Sequence, residues 1–283
     1  MIAMDITHRI IHLDTVDSTN RYLRELDSAE DVDMLVCVAD YQTAGRGQGT
    51  NTWESEQDKN LLFSAKIHPA GVQPTIQFIL SEACALALKD VLDMMVNDIT
   101  LKWPNDVYWR DYKLSGTLIE TTLAAGGLKD CVFGVGLNVN QRSFHSDAPN
   151  PVSLWQILGH EVDRNDLLAQ IIECMKRRLQ QVYEGQYDEI HQTYHAALYR
   201  REGWFPYRDA QGSFLARIEG VRPDGHLLLC DEEGREREYA FKEVDFLGAR
   251  SKWQGASGKW QVASGKELLS KLPNSYTPKL PNS

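Results

Sequence analysis

The residue types with the most chemical content fall in the segment Gln42-Thr-Ala-Gly-Arg-Gly-Gln-Gly49. Glycines at 45, 47 and 49 free the backbone to take positive φ and to approach a ligand closely. Successive N–H groups can then face carboxylate or phosphate oxygens. Arg46 adds a fixed cation whose forked donors match such oxygens. This is the composition of an anion cradle, although the same string taken alone also suits a flexible surface loop with a solvated arginine. Other candidates are equally open when read singly. Trp53 suits a core position, Lys113 an exposed turn after Asp111-Tyr112, Pro104-Asn-Asp106 a turn, and Ser18 and Asn20 helix caps.

The elements that must position these residues can be read from patterning. Residues 10–14 form a short strand, and Asp17-Ser-Thr-Asn20 caps a helix running to about Leu26. Leu35–Ala39 is apolar throughout, as in a buried strand, and leads into the glycine-rich loop; Asn60–Ile67 is the next strand. Between Pro74 and Met95 apolar residues recur every three and four positions, which predicts a core helix with one buried face. Strands follow at 99–103, 107–109, 113–121 and 131–140, with an Arg110-Asp111 turn and with Gly134 and Gly136 inside the last. Glycine inside a strand marks a close approach by a ligand or another part of the chain. Helices are expected over about 163–184 and 186–200.

From Gly203 the texture changes to short runs separated by Pro223-Asp-Gly225 and Asp231-Glu-Glu-Gly234, the turn chemistry of a small β-barrel-like domain. Residues 251–283 repeat Lys-Trp-Gln and Lys-Leu-Pro-Asn-Ser, and are expected to be a low-complexity, disordered tail. The expected organisation is therefore a catalytic domain over 1–200, a small domain over 201–250 and a tail.

Composition bounds the function. A net charge of −10 argues against nucleic-acid binding. Cys37, Cys84, Cys131, Cys174 and Cys230 form no C-x-x-C pair and read as buried apolar residues in a reducing compartment. No signal peptide or membrane-length apolar run is visible, so a cytoplasmic protein without membrane association is expected. The P-loop, Rossmann, zinc-protease and nucleophile-elbow signatures are all missing.

Four segments occur in order: Asp17-Ser-Thr-Asn20; the 42–49 loop with Trp53; Lys102-Trp-Pro-Asn-Asp106 with Lys113-Leu-Ser-Gly116; and Gly134-Val-Gly-Leu-Asn-Val-Asn140. Their order and spacing resemble the catalytic domain of biotin–protein ligases over about residues 10–200, and the small domain resembles that family's SH3-like appendage. The resemblance implies an α+β fold, with a mixed sheet flanked by helices as in class II synthetases, plus a C-terminal SH3-like β-barrel. It implies ATP-dependent formation of biotinyl-5'-adenylate, followed by transfer to a lysine of the biotin carboxyl carrier domain of a biotin-dependent carboxylase.

Residue by residue, the resemblance gives Lys113 and Arg46 catalytic roles. It places biotin against Ser18, Thr19, Asn20, Gln42, Gly45, Arg46, Gly47, Gln48, Lys113 and Gly116. ATP and the adenylate would meet Trp53, Lys102, Asn105, Gly136 and Asn138, with Asp106 as the Mg2+ ligand. A lipoate ligase or octanoyl transferase shares the fold, and a non-catalytic biotin-binding module is the third reading. Arg46 and Lys113 speak against the last. The repressor role of some relatives is not expected, and oligomeric state is left open, a homodimer being one option.

The sequence departs from the family pattern at Gln48, where well-known members often carry a second arginine. A cation near the adenylate is thereby lost. Gln48→Arg is expected to slow release of the adenylate from the enzyme; equal release rates in the two proteins would refute this.

Overall fold

In the computed structural model, which describes residues 6–26, 32–47, 49, 51–69, 71–146, 150–248, 251–254 and 259–262, the chain divides into two units. The second begins at Glu202, and the short segment Val221–His226 belongs with the first.

The first unit runs β1 (His8–Val16), α1 (Thr19–Glu25), β2 (Met34–Gln42), β3 (Leu61–Ile67), a 3-10 turn (Pro74–Ile76), α2 (Phe78–Leu92), β4 (Ile99–Lys102), β5 (Asp106–Trp109), β6 (Tyr112–Ala124), β7 (Gly127–Leu137), α3 (Leu154–Leu158), α4 (Arg164–Tyr183) and α5 (Tyr187–Ala196). The strands form one mixed sheet in the order β1-β2-β3-β7-β6-β5-β4. Only β1 and β2 run parallel, joined across α1; the other neighbours are antiparallel. This is the α+β class expected from the sequence.

The central strands explain their own composition. All seven positions of β3 are buried, so period-two alternation is absent and the strand reads as a continuous apolar run interrupted by Ser64 and Lys66. Lys66 reconciles burial with charge by donating to the Leu23 and Leu26 carbonyls at 3.3 and 2.9 Å, at the C-terminal end of α1, where the helix presents unpaired acceptors.

Helix α2 differs from the one-faced helix expected. It is shorter, and Glu82, Cys84 and Ala85 are buried as well as Leu80, Ala83, Leu88 and Leu92, because α4 and α5 cover sides that a two-layer packing would leave open. Met94, past its end, is exposed. Helix α3 went unread in the sequence, although Ser153 and Gln156 form a reciprocal capping box, an S-x-x-Q pattern that marks a helix start.

The second unit contains β8 (Phe205–Asp209), β9 (Gly212–Val221, all but its last residue), β10 (Leu227–Asp231), β11 (Glu236–Tyr239) and β12 (Asp245–Phe246), in a sheet ordered β11-β10-β9-β8-β12. It is a five-stranded sheet with β11 and β12 at its edges; closure into a barrel is not part of the observed pairing. In the tail, β13 (Ser251–Gln254) and β14 (Lys259–Val262) pair antiparallel, so the repeated Lys-Trp-Gln segments form a ribbon where disorder was expected. The Lys-Leu-Pro-Asn-Ser repeats lie outside the described residues.

Helices α2 and α4 are clamped by Arg178, whose Nε and Nη2 donate to the two oxygens of Asp90 at 2.8 Å each. Both partners are largely shielded from water, with side-chain exposures of 15% and 29%. Arg178→Ala is expected to lower stability by about 1.5–3 kcal/mol, read as a lower urea midpoint at unchanged slope. An unchanged midpoint would show that the clamp contributes nothing.

Candidate active site

Strand β7 carries Gly134 and Gly136 two residues apart, hence on one face of the sheet. A β-carbon at 134 would lie 2.0 Å from Asn20 Oδ1, and one at 136 would lie 2.4 Å from the Trp53 indole. Gly136 pairs with Gly116 of β6, where a β-carbon would again meet the indole, at 3.1 Å. The glycines therefore form a bare patch on the sheet that receives two side chains from elsewhere in the chain.

Asn20 reaches the patch from the first turn of α1. Ser18 caps that helix, accepting from Arg21 N–H at 3.5 Å, so the three residues after Asp17 face the sheet and are all buried. Asn20 Nδ2 donates to the Leu118 carbonyl and to Glu120 at 3.2 and 3.0 Å. Thr19 donates through its backbone N–H and its hydroxyl to Gln42 Oε1, at 2.7 and 3.1 Å. Ser64 lies between them, its Oγ 2.7 Å from Thr19 Oγ1 and 2.5 Å from Asn20 Oδ1. A serine has one hydroxyl proton and can donate to only one of these acceptors at a time.

Trp53 is brought to the patch by a tight reversal of the glycine-rich loop. Gly47 N–H donates to Asn51 O at 2.8 Å and Trp53 N–H to Gly45 O at 3.0 Å, with Arg46 opposite Thr52. The expected use of glycine is corrected in part: only Gly49 has positive φ, at 70°. Gly45 and Gly47 are required instead by close approach, since β-carbons there would lie 3.0 Å from Trp53 O and 3.2 Å from Asn51. Arg46 is exposed at the loop surface, and Gln48 lies outside the described residues.

Lys113 projects from β6 beneath this loop. Its Nζ lies 2.8 Å from Asp106 Oδ1 and 5.8 Å from the centre of the Trp53 ring, next to Gly116. Strand β6 is irregular here, with a register shift opposite Val107/Tyr108, and the Lys113 backbone bonds to Asn150 and Val152. Lys102 donates to the Tyr108 hydroxyl at 3.1 Å. Burial and the Asp106 charge push the Tyr108 phenol up to about 12, so it remains a neutral partner for the ammonium. Asn105 Nδ2 donates to the Thr117 carbonyl, fixing the turn before Asp106. Asn138 is a buried strut, its Nδ2 donating to Val152 O at 3.1 Å.

Three contributors were missed in the sequence. Ser64 joins Thr19 to Asn20, Glu120 holds Asn20, and Tyr194 donates to Pro104 O at 3.1 Å beneath the Lys102–Asp106 segment. Ser64 alone left a usable signal, as a hydroxyl inside an apolar, fully buried strand. A cleft of about 430 Å³ opens beside Ser18 and Arg46, with Lys66, Glu120, Asp130 and Val132 on its walls.

Comparison with known proteins gives a consistent result. Residues 13–138 match the model of the biotin/lipoate A/B protein ligase family. The bifunctional ligase/repressor BirA of Bacillus spizizenii is 27% identical, over 82% of this chain and 72% of its own length. A biotin–[acetyl-CoA-carboxylase] ligase of Mycobacterium tuberculosis is 32% identical, over 57% of this chain and 60% of its own. Among solved structures, a biotin protein ligase from Aquifex aeolicus in complex with biotin and ATP superposes with a TM-score of 0.71 at 26% identity, covering 85% of this chain and 99% of that one.

Gly134→Ala is expected to cost about 1–3 kcal/mol by forcing a β-carbon into Asn20. Asn20→Ala in the same chain makes room, so the double variant should be less destabilised than the two single effects summed. Additive thermal-melt losses would show that the two positions do not meet.

Proposed function

Because residues 13–138 match the model of the biotin/lipoate A/B protein ligase family, we propose that the chain activates biotin with ATP and transfers it to a lysine of a biotin carboxyl carrier domain. The observation that carries this reading is Lys113, an ammonium held between Asp106 and Trp53 on the glycine patch and joined along β6 and β7 to the Thr19–Asn20–Ser64 network.

In the first step a biotin carboxylate oxygen bonds to the α-phosphorus of ATP, and the bond from that phosphorus to the bridging oxygen of pyrophosphate breaks. No protein nucleophile is needed. The chain has to hold two anions together and stabilise the charge that builds on the phosphorus oxygens. Lys113 fits that task, because a compact ammonium can exchange Asp106 for carboxylate and phosphate oxygens without a large movement. In the second step a carrier-lysine amine attacks the acyl carbon, AMP departs with the bonding electrons, and the amine proton is lost to solvent.

Recognition of the ureido ring follows from the proton count at Ser64. One of Thr19 Oγ1 and Asn20 Oδ1 lacks the serine proton at any moment, and a urea N–H can supply it. Gln42, whose Oε1 is taken by Thr19, presents its NH2 end for the ureido oxygen. A dithiolane offers neither group and would leave these atoms unpaired, which favours biotin over lipoate.

Trp53 would supply a stacking face for adenine, and Arg46, exposed on the same loop, a cation for its phosphate. Asp106 and Asn105 are oxygen donors of the kind Mg2+ accepts, and suffice only if ATP phosphates complete the shell. Mg2+ bound there would neutralise phosphate charge.

Pyrophosphate exchange into ATP tests the reading. Exchange is expected with biotin and not with lipoate, and to fall about 100-fold or more in Lys113→Ala. Exchange with lipoate alone, or a variant as active as the parent, would contradict it.

A further inference from the structure

Away from the glycine patch, helix α5 carries His191 and His195 one turn apart, so both imidazoles lie on the same face, with ring centres 4.0 Å apart. That face meets Glu82 of α2, which has no exposed surface. His191 Nδ1 lies 2.8 Å from Glu82 Oε1, while Glu82 Oε2 is buried without a hydrogen-bond partner. One ligand atom from each of the three residues can be chosen so that all lie within 4.8 Å of one another.

A buried carboxylate–imidazole pair explains one oxygen of Glu82 and one histidine. It leaves the second oxygen unsatisfied and gives no reason for a second imidazole against the first. We propose that Glu82, His191 and His195 form a binding site for a zinc-class divalent metal ion between α2 and α5.

The donor set is the carboxylate and two neutral imidazoles that zinc takes in three-residue sites, with a fourth position open to water. Bonds of about 2.0–2.1 Å in a tetrahedron require ligand atoms roughly 3.3 Å apart, so the observed spacing needs only small side-chain rotations. Val221 faces His195 Nε2 with both its carbonyl, at 3.2 Å, and its N–H, at 3.0 Å, which anchors that side of the ring to the backbone. The site would tie the core helix to α5, whose Tyr194 holds Pro104 in the Lys102–Asp106 segment.

The test uses the full chain, freed of metal by a chelator and titrated with Co2+ as a spectroscopic stand-in and then with Zn2+. One equivalent of Co2+ is expected to bind with the visible bands of a tetrahedral N/O site lacking thiolate charge transfer, and Zn2+ should raise the melting temperature. His195→Gln, which leaves the Glu82–His191 bond in place, should weaken binding at least tenfold and abolish the Zn2+-dependent rise while the circular dichroism spectrum remains that of the parent. Glu82→Gln should act the same way; if it fails to fold, His195→Gln alone decides. Absence of stoichiometric binding, binding unchanged in His195→Gln, or a thiolate spectrum from the five cysteines would each overturn the proposal.

Discussion

The site depends on the absence of side chains at three positions on adjacent strands. Gly116 and Gly136 face each other across β6 and β7, and Gly134 follows two residues along. Any β-carbon at 134 or 136 would occupy space now filled by Asn20 or Trp53. The buried positions of this sheet are otherwise filled mostly by apolar side chains. Three bare positions therefore form a depression that the remaining residues are arranged to use. Asn20 enters from a capped helix, Trp53 from a reversed loop, and Lys113 stands at the rim.

The electrostatics of the patch follow from the same geometry. Lys113 and Asp106 are partly exposed, 31% and 20%, so their pairing holds the ammonium in place without committing it. Ion pairs with this degree of solvent contact contribute little to stability, which leaves the lysine able to change partners when a more highly charged anion arrives. The Thr19–Ser64–Asn20 network behaves in the opposite way. It is fully buried, its members have few alternatives, and it is one proton short of satisfying every acceptor. A mobile charge beside a rigid hydrogen-bonding array suits a reaction in which one end of the substrate is recognised and the other end is transformed.

Much of this was legible in the residues. Period and composition located β2, β3, α2, α4 and α5, and glycines inside β7 announced a close approach. What approaches was not legible: the partners are Asn20 and Trp53, separated from Gly134 and Gly136 by more than eighty residues in each case, and no local pattern carries that pairing. The same limit applies to Lys113, which looks like an ordinary turn lysine until β5 brings Asp106 beside it. Ser64 and Glu120 were missed because their roles come from register across strands. Helix α3 was missed for another reason, since its capping box was present in the sequence and its five residues are too short to show a period. The burial of α2 on several sides exceeded expectation because α4 and α5 fold back over a face that the helix's own sequence does not distinguish.

The central claim is that the glycine patch, Lys113 and the Thr19–Asn20–Ser64 network together hold one acyl-adenylate. A crystal structure with a non-hydrolysable analogue of biotinyl-5'-adenylate tests it most directly. The account predicts the acyl-phosphate oxygens within hydrogen-bonding distance of the Lys113 ammonium, now drawn from Asp106, with the ureido ring between Ser64 and Gln42. An analogue bound elsewhere, with Lys113 still paired to Asp106 and Ser64 unchanged, would contradict it.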